Sequence, residues 1–179
     1  MMEYDVRELD PDDLYFLLID WVAPRPIAWV STLSKEGVIN LAPFSFFNVV
    51  CDHPPVLMLS ISKKEDGTRK DTARNILDSG EFVVNFLEYN LLKKAERTSW
   101  DYPPHVSELE VVKLTPELSA IVKPPRVKEC PASFECRLLE HRELYNYDLI
   151  LGEVVFVVIR KQRDYRVGRV GERFCKCPI

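Results

Sequence analysis

The stretch 149–160 constrains the fold more than any other part of the chain. Val154, Phe156 and Val158 alternate there with Val155, Val157 and Ile159, so an extended backbone would carry apolar side chains on both faces. A strand of that kind needs cover twice over, from a barrel interior on one side and from a helix or a second subunit on the other. The run 132–144 precedes it, and the two read as a long hairpin turning through Tyr145, Asn146, Tyr147 and Asp148. Residues 81–87 form another run that is apolar on both faces.

Upstream, the chain reads as further strands broken by turns. Residues 27–33 predict a strand, Lys35, Glu36 and Gly37 a tight turn, and 38–42 its antiparallel partner. A third strand is expected over 46–51 and a fourth over 56–62, with Leu57, Leu59 and Ile61 on an apolar side and Ser60 and Ser62 on a polar one. Helices are short. Asp10 caps and Pro11 opens one that runs to about residue 19 with Leu14, Leu17 and Leu18 buried; a second spans about 71–79 and stops at Gly80; a third covers 91–98. Residues 107–116 have mixed character, 119–122 predict a short strand piece, and 164–179 show no clear period. Strands and long helices do not alternate, which favours a mainly antiparallel barrel with appended helices over a doubly wound sheet. Without a repeat or a break in composition, residues 1–179 read as one domain, with a core at about 14–160 and a C-terminal extension at 161–179.

A net charge of -4, with no dense block of Lys and Arg, gives no electrostatic footprint for nucleic acid or an anionic membrane. No apolar run is long enough to cross a bilayer, and Met1, Met2, Glu3, Tyr4 and Asp5 do not open a signal peptide. Five cysteines, an odd and scattered set, form no disulfide framework, so a cytoplasmic location is expected.

Neither a Gly-x-Gly-x-x-Gly turn nor a phosphate loop ending in Gly-Lys-Ser/Thr is present, so any nucleotide must be held another way. The sequence Lys70-Asp71-Thr72-Ala73-Arg74-Asn75 offers one. A helix start presents unpaired N–H groups and the positive end of a dipole, and Lys70 and the Thr72 hydroxyl stand beside it. Asp71 capping the helix, with Lys70 and Arg74 solvated, is the plainer account of the same residues. Ser31, Thr32 and the segment from Ser45 to Asn48 equally mark strand ends or, if those ends converge, a polar rim. His53, His105 and His141 lack metal-like spacing and read as surface or turn residues. Cys175 and Cys177 are half a zinc site, and Cys51 follows the third strand. Trp29, Trp100 and the pair Phe46 and Phe47 read first as core.

Laid end to end, these segments resemble the flavin reductase-like, FMN-binding split-barrel family. The matching pieces are Arg25-Pro26-Ile27-Ala28-Trp29-Val30-Ser31-Thr32, Asn40-Leu41-Ala42-Pro43-Phe44-Ser45-Phe46-Phe47-Asn48, Lys70-Asp71-Thr72-Ala73-Arg74-Asn75 and Gly80-Glu81-Phe82-Val83-Val84-Asn85, in the family's order. The resemblance implies a six-stranded antiparallel Greek-key split barrel, a homodimer, and FMN held non-covalently near the subunit boundary. It implies that Ser45, Phe46, Phe47 and Asn48 line the flavin ring and ribityl chain, that Ser31, Thr32, Ser60 and Ser62 face the same cofactor, and that Lys70, Asp71 and Thr72 meet its phosphate. The expected activity is an NAD(P)H-dependent flavin reductase, with an FMN electron carrier or a cofactor-free structural module as alternatives. No catalytic acid or base and no metal ligand is expected. The segment 166–174 resembles the family's Arg/Gly/aromatic ending only loosely.

Overall fold

The computed structural model describes residues 1–162 and 165–178. Helix α1 (Pro11–Trp21) leads into β1 (Arg25–Pro26), β2 (Ala28–Leu33), β3 (Ile39–Phe44), β4 (Phe47–Asp52) and β5 (Pro55–Ser62). Helix α2 (Asp71–Ser79) and β6 (Glu81–Asn85) follow, then α3 (Leu92–Arg97), α4 (Glu108–Val111), β7 (Pro116–Glu117) and β8 (Arg126–Val127). A long hairpin, β9 (Ala132–Leu144) and β10 (Tyr147–Ile159), precedes a C-terminal one, β11 (Tyr165–Val170) and β12 (Arg173–Pro178).

Seven strands form one antiparallel sheet in the order β3-β2-β6-β9-β10-β5-β4. The sheet curls until β3 approaches β5, and β4 extends beyond that seam as the strand additional to the expected six. Its concave side collects Val30, Phe47, Leu57, Leu59, Ile61, Phe82, Val84 and Ile150 into one core, and Ala73 and Ile76 of α2 plug it. Gly152 sits where β9 and β10 slip register, directly under the Phe82 ring; a Cβ there would lie 2.3 Å from Phe82 Cζ. A second core, on the other side of β2 and β3, packs Ile27, Trp29 and Leu41 against Leu91, Ala95, Leu109 and Val167.

Helix α2 and strand β9 start and stop where the sequence pattern places them, and Gly80 ends α2 with φ of 71°. Several expectations are corrected. Leu18 is exposed and Ile19 takes the buried position, because α1 docks by its last turn: Gly171 N–H donates to Ile19 O at 3.1 Å. Residues 119–122 are not a strand. The N–H groups of Ala120, Ile121 and Val122 donate instead to the fully buried Glu135 carboxylate at 2.8, 2.7 and 3.3 Å. The turn between β9 and β10 has two residues, Tyr145 and Asn146, with Tyr145 at φ 52°. The expected aperiodic tail is the β11–β12 hairpin, paired to β1; Asp164 and Ile179, like Arg163 of the expected extension, lie outside the described residues. His141 is a half-buried member of β9 rather than a turn residue, and its Nε2 lies 2.7 Å from Asp148 Oδ1.

Candidate functional site

Beside the mouth of α2 lies a cavity of about 660 Å³, within the range of small-molecule sites. It is walled by Asn40, Ala42, Pro43 and Phe44 of β3, by the loop that carries Lys63 to Asp66, and by Lys70, Asp71 and Thr72. The segment from Thr98 to Tyr102, together with Glu108, closes the other side.

Two features leave hydrogen-bond donors unfilled on the wall of this cavity. Helix α2 has no side-chain cap: its N-cap residue is Lys70, and the first helical bond is Arg74 N–H to Lys70 O at 3.1 Å, so the preceding N–H groups are left for another acceptor. The three lysines on the wall also differ in what they meet. Lys63 pairs with Glu143 and Lys64 with Asp101 at 3.1 Å, whereas Lys70 has no ion-pair partner among the described residues. Burial holds the Lys70 ammonium below the usual lysine range, opposed by the Asp101 charge and helped to a lesser degree by the Lys64 charge. Thr72 is almost fully buried; its Oγ1 accepts from Asn40 Nδ2 at 2.8 Å, and among the described residues no hydrogen bond uses its proton.

The loop carrying the lysines is pinned from outside. Arg69 Nε donates to the fully buried Asp148 at 3.0 Å and Arg69 Nη2 to Glu143 at 2.7 Å, tying residues 63–70 to the β9–β10 hairpin. Asp148 Oδ2 is buried with no hydrogen bond among the described residues.

The residues expected at the site fall into three groups. Lys70, Asp71 and Thr72 line the cavity together. Ser45, Phe46, Asn48, Ser60 and Ser62 do not line it, although Ser45 adjoins Phe44 and Ser62 adjoins Lys63 in the chain, and Phe44 and Lys63 both do. Phe46 stacks on Tyr147 with centroids 6.1 Å apart, Ser45 Oγ accepts from Arg25 Nε at 3.3 Å, and Asn48 Oδ1 accepts from Val49 N–H at 2.9 Å. Ser31, Thr32 and Phe47 are interior. The Ser31 hydroxyl donates to Pro125 O at 2.6 Å, Thr32 Oγ1 accepts from Asn75 Nδ2 at 3.0 Å, and Phe47 packs against Phe86.

Sequence reasoning missed Asn40, Lys63, Lys64, Trp100, Tyr102 and Glu108 on the wall. Trp100 is the informative miss: it reads as core by residue type, yet it is 61% exposed, with Arg97 over its ring at 6.0 Å. Its neighbours Asp101, Tyr102, Pro103 and Pro104 were the available signal, because a charged, proline-ended aromatic segment rarely packs inside. A lone acid such as Glu108 carries no comparable mark.

The flavin reductase-like domain family matches residues 22–172. The chain belongs to that family. A protein of Aquifex aeolicus is 46% identical to it, over 97% of this chain and 94% of its own length. Component B of the nitrilotriacetate monooxygenase of Bacillus cereus is 33% identical in solved structure, with a TM-score of 0.92 over 100% of this chain and 96% of the other. A split-barrel structure from Shewanella frigidimarina superposes with a TM-score of 0.84 over 98% of this chain and 95% of that one; at 20% identity it speaks to fold alone. The fold is therefore the family's antiparallel split barrel, and the family is a flavin-binding, oxidoreductase-type one.

Proposed function

We propose that this chain, as a single domain over residues 1–179, binds FMN non-covalently and acts as an NAD(P)H-dependent flavin reductase. The observation that carries the reading is Lys70, a cation with no ion pair among the described residues, at the uncapped start of α2 in a cavity of small-molecule size. Bound FMN would supply hydride chemistry between a reduced nicotinamide and an electron acceptor.

The chain's own groups divide the work of holding it. Lys70 Nζ, the free N–H groups at Asp71 and Thr72, and the Thr72 hydroxyl are the proposed phosphate donors. Asp71 turns its carboxylate away to Arg74, which spares the phosphate a direct repulsion. Ser45, Phe46, Asn48, Ser60 and Ser62 would meet the ring and ribityl chain along the adjoining rim. Ser31, Thr32 and Phe47 would act from behind: Thr32 and Asn75 bind α2 to β2, and Asn40 and Thr72 bind it to β3. Hydride transfer itself requires no protein acid or base, and none is assigned.

A homodimer is part of the proposal. Val49 and Val50 on β4 and Phe156, Val157 and Ile159 on β10 are exposed in the single chain, so the outer cover that the β10 pattern requires is missing from it. Among the described residues no helix is long and apolar enough to cross a membrane, and the five free cysteines suit a reducing cytoplasm.

Anaerobic addition of NADH or NADPH to the FMN-loaded protein tests the activity. Bleaching of the flavin absorbance is the expected result. Retained colour with both nicotinamides would leave an FMN electron carrier, and failure to take up FMN at all would remove the flavin reading.

A further inference from the structure

The C-terminal hairpin carries a second cluster of reactive side chains, in the sequence Cys175-Lys176-Cys177 on β12. Two residues apart on a strand, both thiols leave the same face, and their sulfurs lie 3.3 Å from one another. Cys175 stands opposite Gly168 of β11, and a Cβ built on Gly168 would lie 3.1 Å from Cys177 Sγ. Cys177 therefore leans along its own strand toward Cys175, over the one residue opposite that has no side chain to push it back. Both thiols are half-buried and reachable from solvent.

We propose that Cys175 and Cys177 form a two-thiolate site for a soft, closed-shell metal cation of low coordination number, of which Cu(I) is the type. Three observations favour this. Among the described residues no set of three His, Cys, Asp or Glu could complete a tetrahedral site, so zinc would lack its usual ligands. An extended strand holds alternate Cα atoms about 6.4–6.8 Å apart, the far end of what a disulfide spans. A metal at roughly 2.3 Å from each sulfur bridges a wider gap, which small side-chain rotations open. The anionic complex would also find cations at hand: Arg166 is directly opposite Cys177 and Arg173 shares the strand face, whereas Lys176 leaves the other face and lies over the Tyr165 ring at 4.2 Å.

The binding step moves no electrons. One Cu(I) replaces two thiol protons, giving a bis-thiolate complex of net charge -1 and two protons released to solvent, so affinity rises steeply with pH.

The test is an anaerobic titration of the full chain with Cu(I) against a coloured competing chelator. One Cu(I) per chain, a thiolate-to-metal absorption band, and at least tenfold weaker binding in both Cys175→Ser and Cys177→Ser are expected, with Cys51→Ser unchanged. Melting curves show whether the serine variants are folded. Unaltered affinity in either folded variant, loss only in Cys51→Ser, or displacement by an equal concentration of Zn²⁺ would overturn the assignment. So would a pair that takes up no Cu(I) and instead loses two titratable thiols to oxidised dithiothreitol.

Discussion

Two places in this molecule use the same polar residue types to opposite ends. Between β2, β6, β8 and β9, Asn85 is fully subscribed: Nδ2 donates to Trp29 O at 3.1 Å and Ser31 Oγ at 3.0 Å, and Oδ1 accepts from Val127 N–H and the Ser133 hydroxyl, each at 2.9 Å. At the mouth of α2, donors are left over among the described residues: the Lys70 ammonium, the Thr72 proton and the uncapped N–H groups. A closed network can only hold the barrel together, whereas an open one can hold something else. Residue type alone does not separate them; the count of unfilled bonds does.

The largest expected effect breaks the closed network. Asn85→Ala would strand the Val127 N–H and the Ser133 hydroxyl in a dry interior, each at about 1–3 kcal/mol. Chemical denaturation should then show a loss of about 3–5 kcal/mol in stability, with flavin affinity of the remaining folded protein little changed. A loss below about 1 kcal/mol would mean that the network is not closed in solution.

The open region should respond the other way. Lys70→Met keeps the aliphatic stem and removes the charge, so a charge-assisted bond worth about 1.5–3 kcal/mol goes, or roughly 10- to 150-fold in FMN affinity. Riboflavin, which lacks the phosphate, should bind almost as before. The unliganded variant should be no less stable than the parent, because burial works against the ammonium. Equal losses for FMN and riboflavin in fluorescence titrations would move the phosphate away from Lys70.

How far each region was legible in the sequence follows from the same contrast. The barrel strands and α2 follow from local pattern: alternation in β5 and β10, a clean helix start at Asp71 and a stop at Gly80. That Lys70, Asp71 and Thr72 line one cavity was legible because they are adjacent in the chain. Ser31 and Thr32 were drawn toward the cofactor by the family resemblance, but their partners, Pro125, Asn85 and Asn75, lie 94, 54 and 43 residues away, beyond any local reading. The 119–122 loop hid for the same reason, since the N–H groups of Ala120, Ile121 and Val122 are satisfied by Glu135 rather than by a strand. The β11–β12 hairpin escaped because Arg, Gly and Lys interrupt its alternation, and it is held instead by pairing with β1 and by the Arg25 guanidinium, which donates to Gly171 O at 2.8 Å.

Glu108 stands between the two regions and gives the smallest and most discriminating effect. Its Oε2 accepts from Leu41 N–H at 2.9 Å, which ties α4 to β3, yet the same carboxyl lines the cavity beside the proposed phosphate site. Burial, with a lesser push from the Asp71 charge, raises its pKa above the ordinary glutamate value. In the window between the ordinary and the raised value, the folded chain holds a proton that the unfolded chain has lost. Stability from this group is therefore fully present below the ordinary carboxyl pKa and is lost as pH rises through the folded one. Glu108→Gln keeps an acceptor for Leu41 N–H and removes the charge. Relative to the parent, the variant should gain stability on going from acid to neutral pH, and FMN should bind a few-fold tighter while riboflavin does not. A parent-minus-variant difference that stays flat across that range would make Glu108 an ordinary solvated acid, and the boundary between closed and open networks would then run behind it, not through it.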